Sequence, residues 1–85
     1  MKYRYEIREI DAWYYDDGWN YNTTYLMGEL TTSSKDEKRA FTNYLKNEHG
    51  ITFKKNRTRI EYDGSLYEIV DRKTFEPLFV MIPLF

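Results

Sequence analysis

The 85-residue chain has no cysteine, two prolines, four glycines and a single histidine. The missing thiols exclude disulfides, thiolate metal sites and thiol nucleophiles together. One histidine leaves little material for imidazole metal centres or catalytic pairs. Pro77 and Pro83 both fall late in the sequence, so most of the chain is free to pair as sheet. A membrane span needs about twenty apolar residues. The longest apolar run, Leu78 to Phe85, has eight and contains Pro83. Met1-Lys2-Tyr3-Arg4 enters an alternating segment directly, with no charged stretch followed by an apolar one. No secretory signal is read, no membrane is expected as a partner, and a cytoplasmic location is expected. The triplets Asn22-Thr23-Thr24 and Asn56-Arg57-Thr58 then carry no glycosylation meaning.

What the chain has instead is rings. Nine tyrosines, five phenylalanines and two tryptophans make up 19% of it. A domain this small buries only about 60–65% of its unfolded surface. Large rings bury more area per residue than aliphatic side chains and so compensate for length. With 13 basic and 14 acidic residues the net charge is −1. The expectation is one α+β domain over residues 1–85.

Tyr3, Tyr5 and Ile7 alternate with Arg4, Glu6 and Arg8, and Ile10, Ala12 and Tyr14 then continue on the opposite parity. That change of phase predicts a bulge near Arg8–Ile10. Asp16-Asp17-Gly18 is a turn signal. Beyond it Trp19, Tyr21, Thr23, Tyr25 and Met27 alternate again, predicting a long antiparallel hairpin. Ser34 and Glu37 have capping-box spacing, Phe41, Tyr44, Leu45 and Glu48 follow at helical spacing, and Gly50 supplies a left-handed stop. An amphipathic helix over 35–49 is predicted. Asp63-Gly64 predicts a two-residue hairpin turn that pairs Tyr62 with Ser65, Ile60 with Tyr67 and Arg59 with Glu68. A turn over 71–76 and a strand over 78–82 complete a ββαβββ order: an antiparallel sheet with one amphipathic helix packed on one face.

Three features stand out as candidate sites. Trp13, Tyr14, Tyr15, Trp19 and Tyr21 crowd around the first turn beside acidic residues. Alternation cannot bury them all, so Trp13, Tyr15 and Trp19 are candidates for protein binding, against the plainer reading of core and cross-strand pairs. Lys54, Lys55, Arg57 and Arg59 lie between Phe53 and Tyr62. Basic groups interleaved with rings suit single-stranded nucleic acid, with Lys54, Lys55, Arg57 and Tyr62 as its contacts. Solvated cations guarding a strand edge are the ordinary alternative. The apolar run from Leu78 would be unremarkable as a central strand, and as an edge strand would invite a homodimer or another protein. His49, in the last helical turn, fits a capping role better than catalysis. Asp11, Asp16, Asp17 and Glu29 could approach one another across the first hairpin, but they lack the spacing of known metal loops. No catalytic residue, metal site or cofactor is predicted.

Tyr5-Glu6-Ile7-Arg8-Glu9-Ile10-Asp11-Ala12-Trp13, Gly18-Trp19-Asn20-Tyr21-Asn22, Lys35 to Phe41, Gly50 to Phe53 and Asp71 to Phe79 carry a resemblance across most of the chain. They resemble small uncharacterised proteins of phages and mobile elements of Gram-positive bacteria. That family often has glycine where this chain has Phe75, so a longer, regular loop is expected there. The resemblance implies a setting, a mobile element in a host cytoplasm, and carries over no functional residues. Together these observations predict a non-enzymatic accessory protein that binds a host or mobile-element protein. A single-stranded nucleic-acid module is the alternative, and a small enzyme comes third.

Overall fold

The computed structural model describes residues 2–54 and 56–85. The elements are β1 (Tyr3–Tyr15), β2 (Gly18–Thr32), α1 (Glu37–His49), β3 (Thr58–Tyr62), β4 (Tyr67–Asp71) and β5 (Pro77–Leu84). All five strands form one antiparallel sheet in the order β2-β1-β5-β4-β3. The last strand thus inserts between the two hairpins, with Arg4 opposite Leu84 and Tyr67 opposite Met81. Pro77 to Met81 lie beside β4 and Phe79 to Leu84 beside β1, so β5 is an interior strand and not the edge strand that would invite a homodimer. Its apolar run is that of a central strand: Phe79, Val80 and Met81 are consecutive and all buried.

The topology also places the helix. It leaves one sheet edge, β2, and delivers the chain to the other, β3, so it must cross the sheet. Phe41 and Leu45 on its inner side are fully buried against Tyr5 and Ile7 of β1, Ile69 of β4, and Phe79 and Met81 of β5. Full burial of each such aliphatic or aromatic side chain contributes about 1.5–3 kcal/mol. The helix starts later than its sequence predicts. Asp36, not Ser34, is the cap, its carboxylate accepting from the Arg39 amide at 3.1 Å, while Ser34 Oγ accepts from the Asp36 amide. A carboxylate in the cap position accepts from the N3 amide as well as a hydroxyl would. Gly50 closes the helix in the left-handed region, φ 67°, with Ile51 donating back to the Leu45 carbonyl.

β1 contains no bulge. Its register with β5 runs unbroken from Arg4 to Glu9. Burial changes parity because the covered face changes: Tyr5 and Ile7 point to the helix side, whereas Ile10 is buried with Val70 and Val80 outside the helix-side cluster. The extra residues sit in β2 instead, at Met27 and Asn22, where the β1 partners step from Gly28 to Leu26 and from Thr23 to Tyr21. The irregularity at Asn22 also puts Trp19 and Tyr21 on the opposite face from Thr23 and Tyr25, which simple alternation had grouped together.

The second hairpin is longer at its turn than Asp-Gly alone predicts. Tyr62 pairs with Tyr67 and Glu61 with Glu68, enclosing four residues. Asp63 Oδ1 accepts from the amides of Ser65 and Leu66 at 2.8 and 2.9 Å, and these bonds stabilise the wider loop. The register moves by two, so Ile60, Tyr62, Tyr67 and Ile69 still share a face, but the expected Arg59–Glu68 pair is lost. Arg59 pairs with Glu61 instead, at 2.5 Å. Phe75 does not avoid the left-handed region: its φ is 68°. That conformation costs a non-glycine residue about 1–2 kcal/mol. Opposing that cost, its amide donates to the Asp71 carbonyl at 2.8 Å and the Arg59 guanidinium lies 5.2 Å from its ring centre.

Gly28, at φ 149°, sits against the Tyr44 hydroxyl, which donates to the Met27 carbonyl. A Cβ there would collide with that hydroxyl. Gly28→Ala should destabilise by about 2–3 kcal/mol in urea unfolding. In a Tyr44→Phe background the same substitution should cost less, because the colliding atom is gone and only the backbone penalty remains.

Candidate functional site

Beyond Glu9, β1 has no β5 residue beside it, so residues 10–24 project as a two-stranded arm. Asp16 and Asp17 both adopt positive φ, 57° and 59°, and close it with a two-residue turn whose twist matches the strands. In a flat sheet Tyr21 would lie roughly 14 Å across and 13 Å along from Glu68, from strand spacing and rise. Yet the Tyr21 hydroxyl donates to Glu68 Oε2. The arm must therefore coil over the face opposite the helix. Trp19 Nε1 donates to the Thr74 carbonyl at 2.8 Å and fixes the same curl at the β4–β5 loop. Ile10, Val70 and Val80 are buried on this back face.

The arm's two faces differ in bonding: Trp19 and Tyr21 on the back donate to internal acceptors, although Tyr14 beside them is 61% exposed. Tyr14 and Trp19, cross-strand partners packed edge to face at 5.5 Å, and Tyr21 belong to the back face. Trp13 and Tyr15 lie on the front face with Tyr25, beyond the helix, and are exposed at 45%, 72% and 56%. The three candidate protein-binding residues are thus divided: Trp13 and Tyr15 are exposed together, and Trp19 is a half-buried anchor on the reverse side. Glu9, Asp11, Asp16 and Asp17 are exposed around the front-face rings. Residues 9–34 contain five acidic side chains and no lysine or arginine.

The basic candidates are not assembled into one site. Lys55 lies outside the described residues. Lys54 is exposed, and Arg57 pairs with Asp71 at 3.7 Å. Tyr62 is at the other end of β3, stacked on Tyr67 with ring centres 4.5 Å apart and its hydroxyl on the Gly64 carbonyl. His49 is exposed at the helix end, 5.5 Å from the Tyr44 ring. The four carboxylates weighed across the first hairpin are spread along it: Asp11 faces Thr23, and Glu29 faces Glu6 and pairs with Arg4 at 2.7 Å. Among the described residues no group of three His, Asp or Glu side chains is placed to hold a metal, and no helix is long and apolar enough to cross a membrane.

Sequence reasoning missed a second concentration of rings at the other end of β1. Tyr3, Tyr5, Tyr62 and Tyr67 line one open pocket with Glu37, whose carboxylate accepts from the Tyr67 hydroxyl. Their shared parity, Tyr3 with Tyr5 and Tyr62 with Tyr67, was the available signal. What joined them was the crossing helix, which brings Glu37 over the sheet. Comparison with family models, with curated proteins and with solved structures returned no match.

The Tyr21 phenol is pushed well above its ordinary value by burial, then by its bond to Glu68 and by that residue's charge. A phenol raised on folding contributes fully below its unfolded value, about 10, and loses that contribution as pH climbs past it. Unfolding free energy should therefore fall above roughly pH 10. Tyr21→Phe should lower stability at pH 7 by about 1 kcal/mol and make the alkaline decline shallower, measured by urea titration at pH 7 to 11.

Proposed function

We propose that this chain is a non-enzymatic binding protein, of the small accessory kind it resembles in phages and mobile elements. It engages a host or mobile-element protein through the front face of the arm. The observation that carries this reading is the pair Trp13 and Tyr15. Both are large, neighbouring in the pleat, exposed, and without a side-chain hydrogen bond among the described residues, while Trp19 and Tyr21 on the reverse face of the same strands are held by internal partners. Tryptophan and tyrosine at the centre of a contact contribute more to binding than most residues.

The surrounding charge defines the partner's chemistry. A surface carrying Glu9, Asp11, Asp16 and Asp17, with no cation between residues 9 and 34, suits a partner patch with an apolar centre and a basic rim. Such a rim acts mainly on the association rate, which should drop as salt rises. The functional residues are then Trp13 and Tyr15, with Trp19 holding the arm in place.

The test is affinity capture from host extract with the full chain, identification of the captured protein, and measurement of its binding by surface plasmon resonance. Trp13→Ser with Tyr15→Ser should weaken binding by about 2 kcal/mol or more while leaving the unfolding midpoint within about 0.5 kcal/mol of the parent. Trp19→Ala should lower stability as well as binding. Unchanged affinity in the Trp13/Tyr15 double variant would overturn the proposal.

A further inference from the structure

At the end of β1 remote from the arm tip, Tyr3, Tyr5, Tyr62, Tyr67 and Pro83 line an open bowl of about 340 Å³ with Glu37 in its wall. The folding logic explains the gathering. Tyr3 and Tyr5 share one side of β1 by alternation, and Tyr5 faces Pro83 across to β5. Tyr62 and Tyr67 face each other across the second hairpin on that same helix side. Glu37 is the first residue of the helix and reaches down from above, accepting from the Tyr67 hydroxyl. Tyr5 is buried and forms the inner surface, whereas Tyr3 and Tyr62 are exposed at the rim.

The electrostatics of the bowl have one sign. Among the described residues four ion pairs form, and none includes Glu37. The carboxylate accepts from a phenol and has no cationic partner among the described residues. Its charge is felt by the rings: burial and then Glu37 raise the Tyr5 phenol, and the bond to Glu37 and then burial raise Tyr67. Ring faces add a negative quadrupole of their own. An anion is repelled here, and an apolar molecule leaves the charge unused. A bare ammonium must shed a tight hydration shell before it can touch the rings. A methylated ammonium is bulky and weakly hydrated, and it presents a diffuse positive surface to several rings at once.

We infer that the bowl formed by Tyr3, Tyr5, Tyr62 and Tyr67 around Glu37 is a binding site for a quaternary or methylated ammonium group. The rings contact the methyl groups and Glu37 supplies the countercharge. This site is separate from the arm, and its occupancy does not depend on the arm having a partner. The same chemistry is offered by a free choline-type molecule and by a trimethylated lysine side chain.

The experiment is a titration of the full chain followed by the tyrosine ring signals in NMR. Three probes are used: choline, its neutral carbon isostere 3,3-dimethylbutan-1-ol, and a short peptide bearing trimethyl-lysine. Saturable shifts of the Tyr3, Tyr5, Tyr62 and Tyr67 rings are expected with choline or with the peptide, the tighter of the two identifying the source. The neutral isostere should bind about tenfold or more weakly. Glu37→Gln keeps an acceptor for the Tyr67 hydroxyl and should lose about tenfold in affinity with its unfolding curve retained. Tyr62→Leu removes an exposed wall and should weaken binding without unfolding the domain. Absence of saturation with both cationic probes overturns the proposal, as does equal binding of the isostere or undiminished binding by Glu37→Gln.

Discussion

A sheet has two faces, and this chain has one helix. Every other feature follows from how the second face is covered. The strand at the centre, β5, is apolar on both sides, with Val80 buried on the back as completely as Met81 on the front. Leaving that back face to water would expose a contiguous apolar patch on a domain with little stability to spare. The remaining material is the first hairpin, which is far longer than its pairing with β5 requires. Its excess length coils back, and two polar contacts, Tyr21 to Glu68 and Trp19 to the Thr74 carbonyl, set where it lands.

The aromatic residues therefore divide into three groups with different physics. Phe41, Phe79 and Tyr5 fill the helix side. Trp19 and Tyr21 combine apolar cover with a polar end that finds an acceptor, the combination for which amphipathic rings are suited. Trp13, Tyr15 and Tyr3 have no such assignment among the described residues and remain exposed at the two ends of the molecule, as does Tyr62 although it stacks on Tyr67 and bonds the Gly64 carbonyl. Glu68 illustrates how closely these roles interlock. It faces Glu61 across the hairpin, a repulsive arrangement, and is relieved by the Tyr21 phenol on one side while Arg59 takes Glu61 on the other.

Much of the fold was legible from local patterns: the two hairpins, the helix with Gly50 as its stop, and the apolar face containing Ile60, Tyr62, Tyr67 and Ile69. What escaped was set by contacts distant in sequence or by side chains acting on backbone. The switch from Ile7 to Ile10 looked like a slip of phase, because a pattern of burial cannot distinguish a turned strand from a change in what covers it. Asp63 widened its turn by accepting two amides, a possibility its Asp-Gly neighbourhood concealed. Phe75 entered the left-handed region because a hydrogen bond and the Arg59 guanidinium compensate locally. For the candidate site, the exposure of Trp13 and Tyr15 follows from alternation plus the reach of a 13-residue helix. The reversal of Trp19 required the bulge at Asn22, and the tyrosine bowl required knowing where the helix crosses.

The insertion of β5 between β1 and β4 also dictates an order of events. Each hairpin is local and can form early, on the microsecond scale typical of such units. Neither can be joined to the other until the last strand arrives, since Arg4 meets its neighbour only at Leu84. The chain thus has a high proportion of distant pairings for its size, which slows folding.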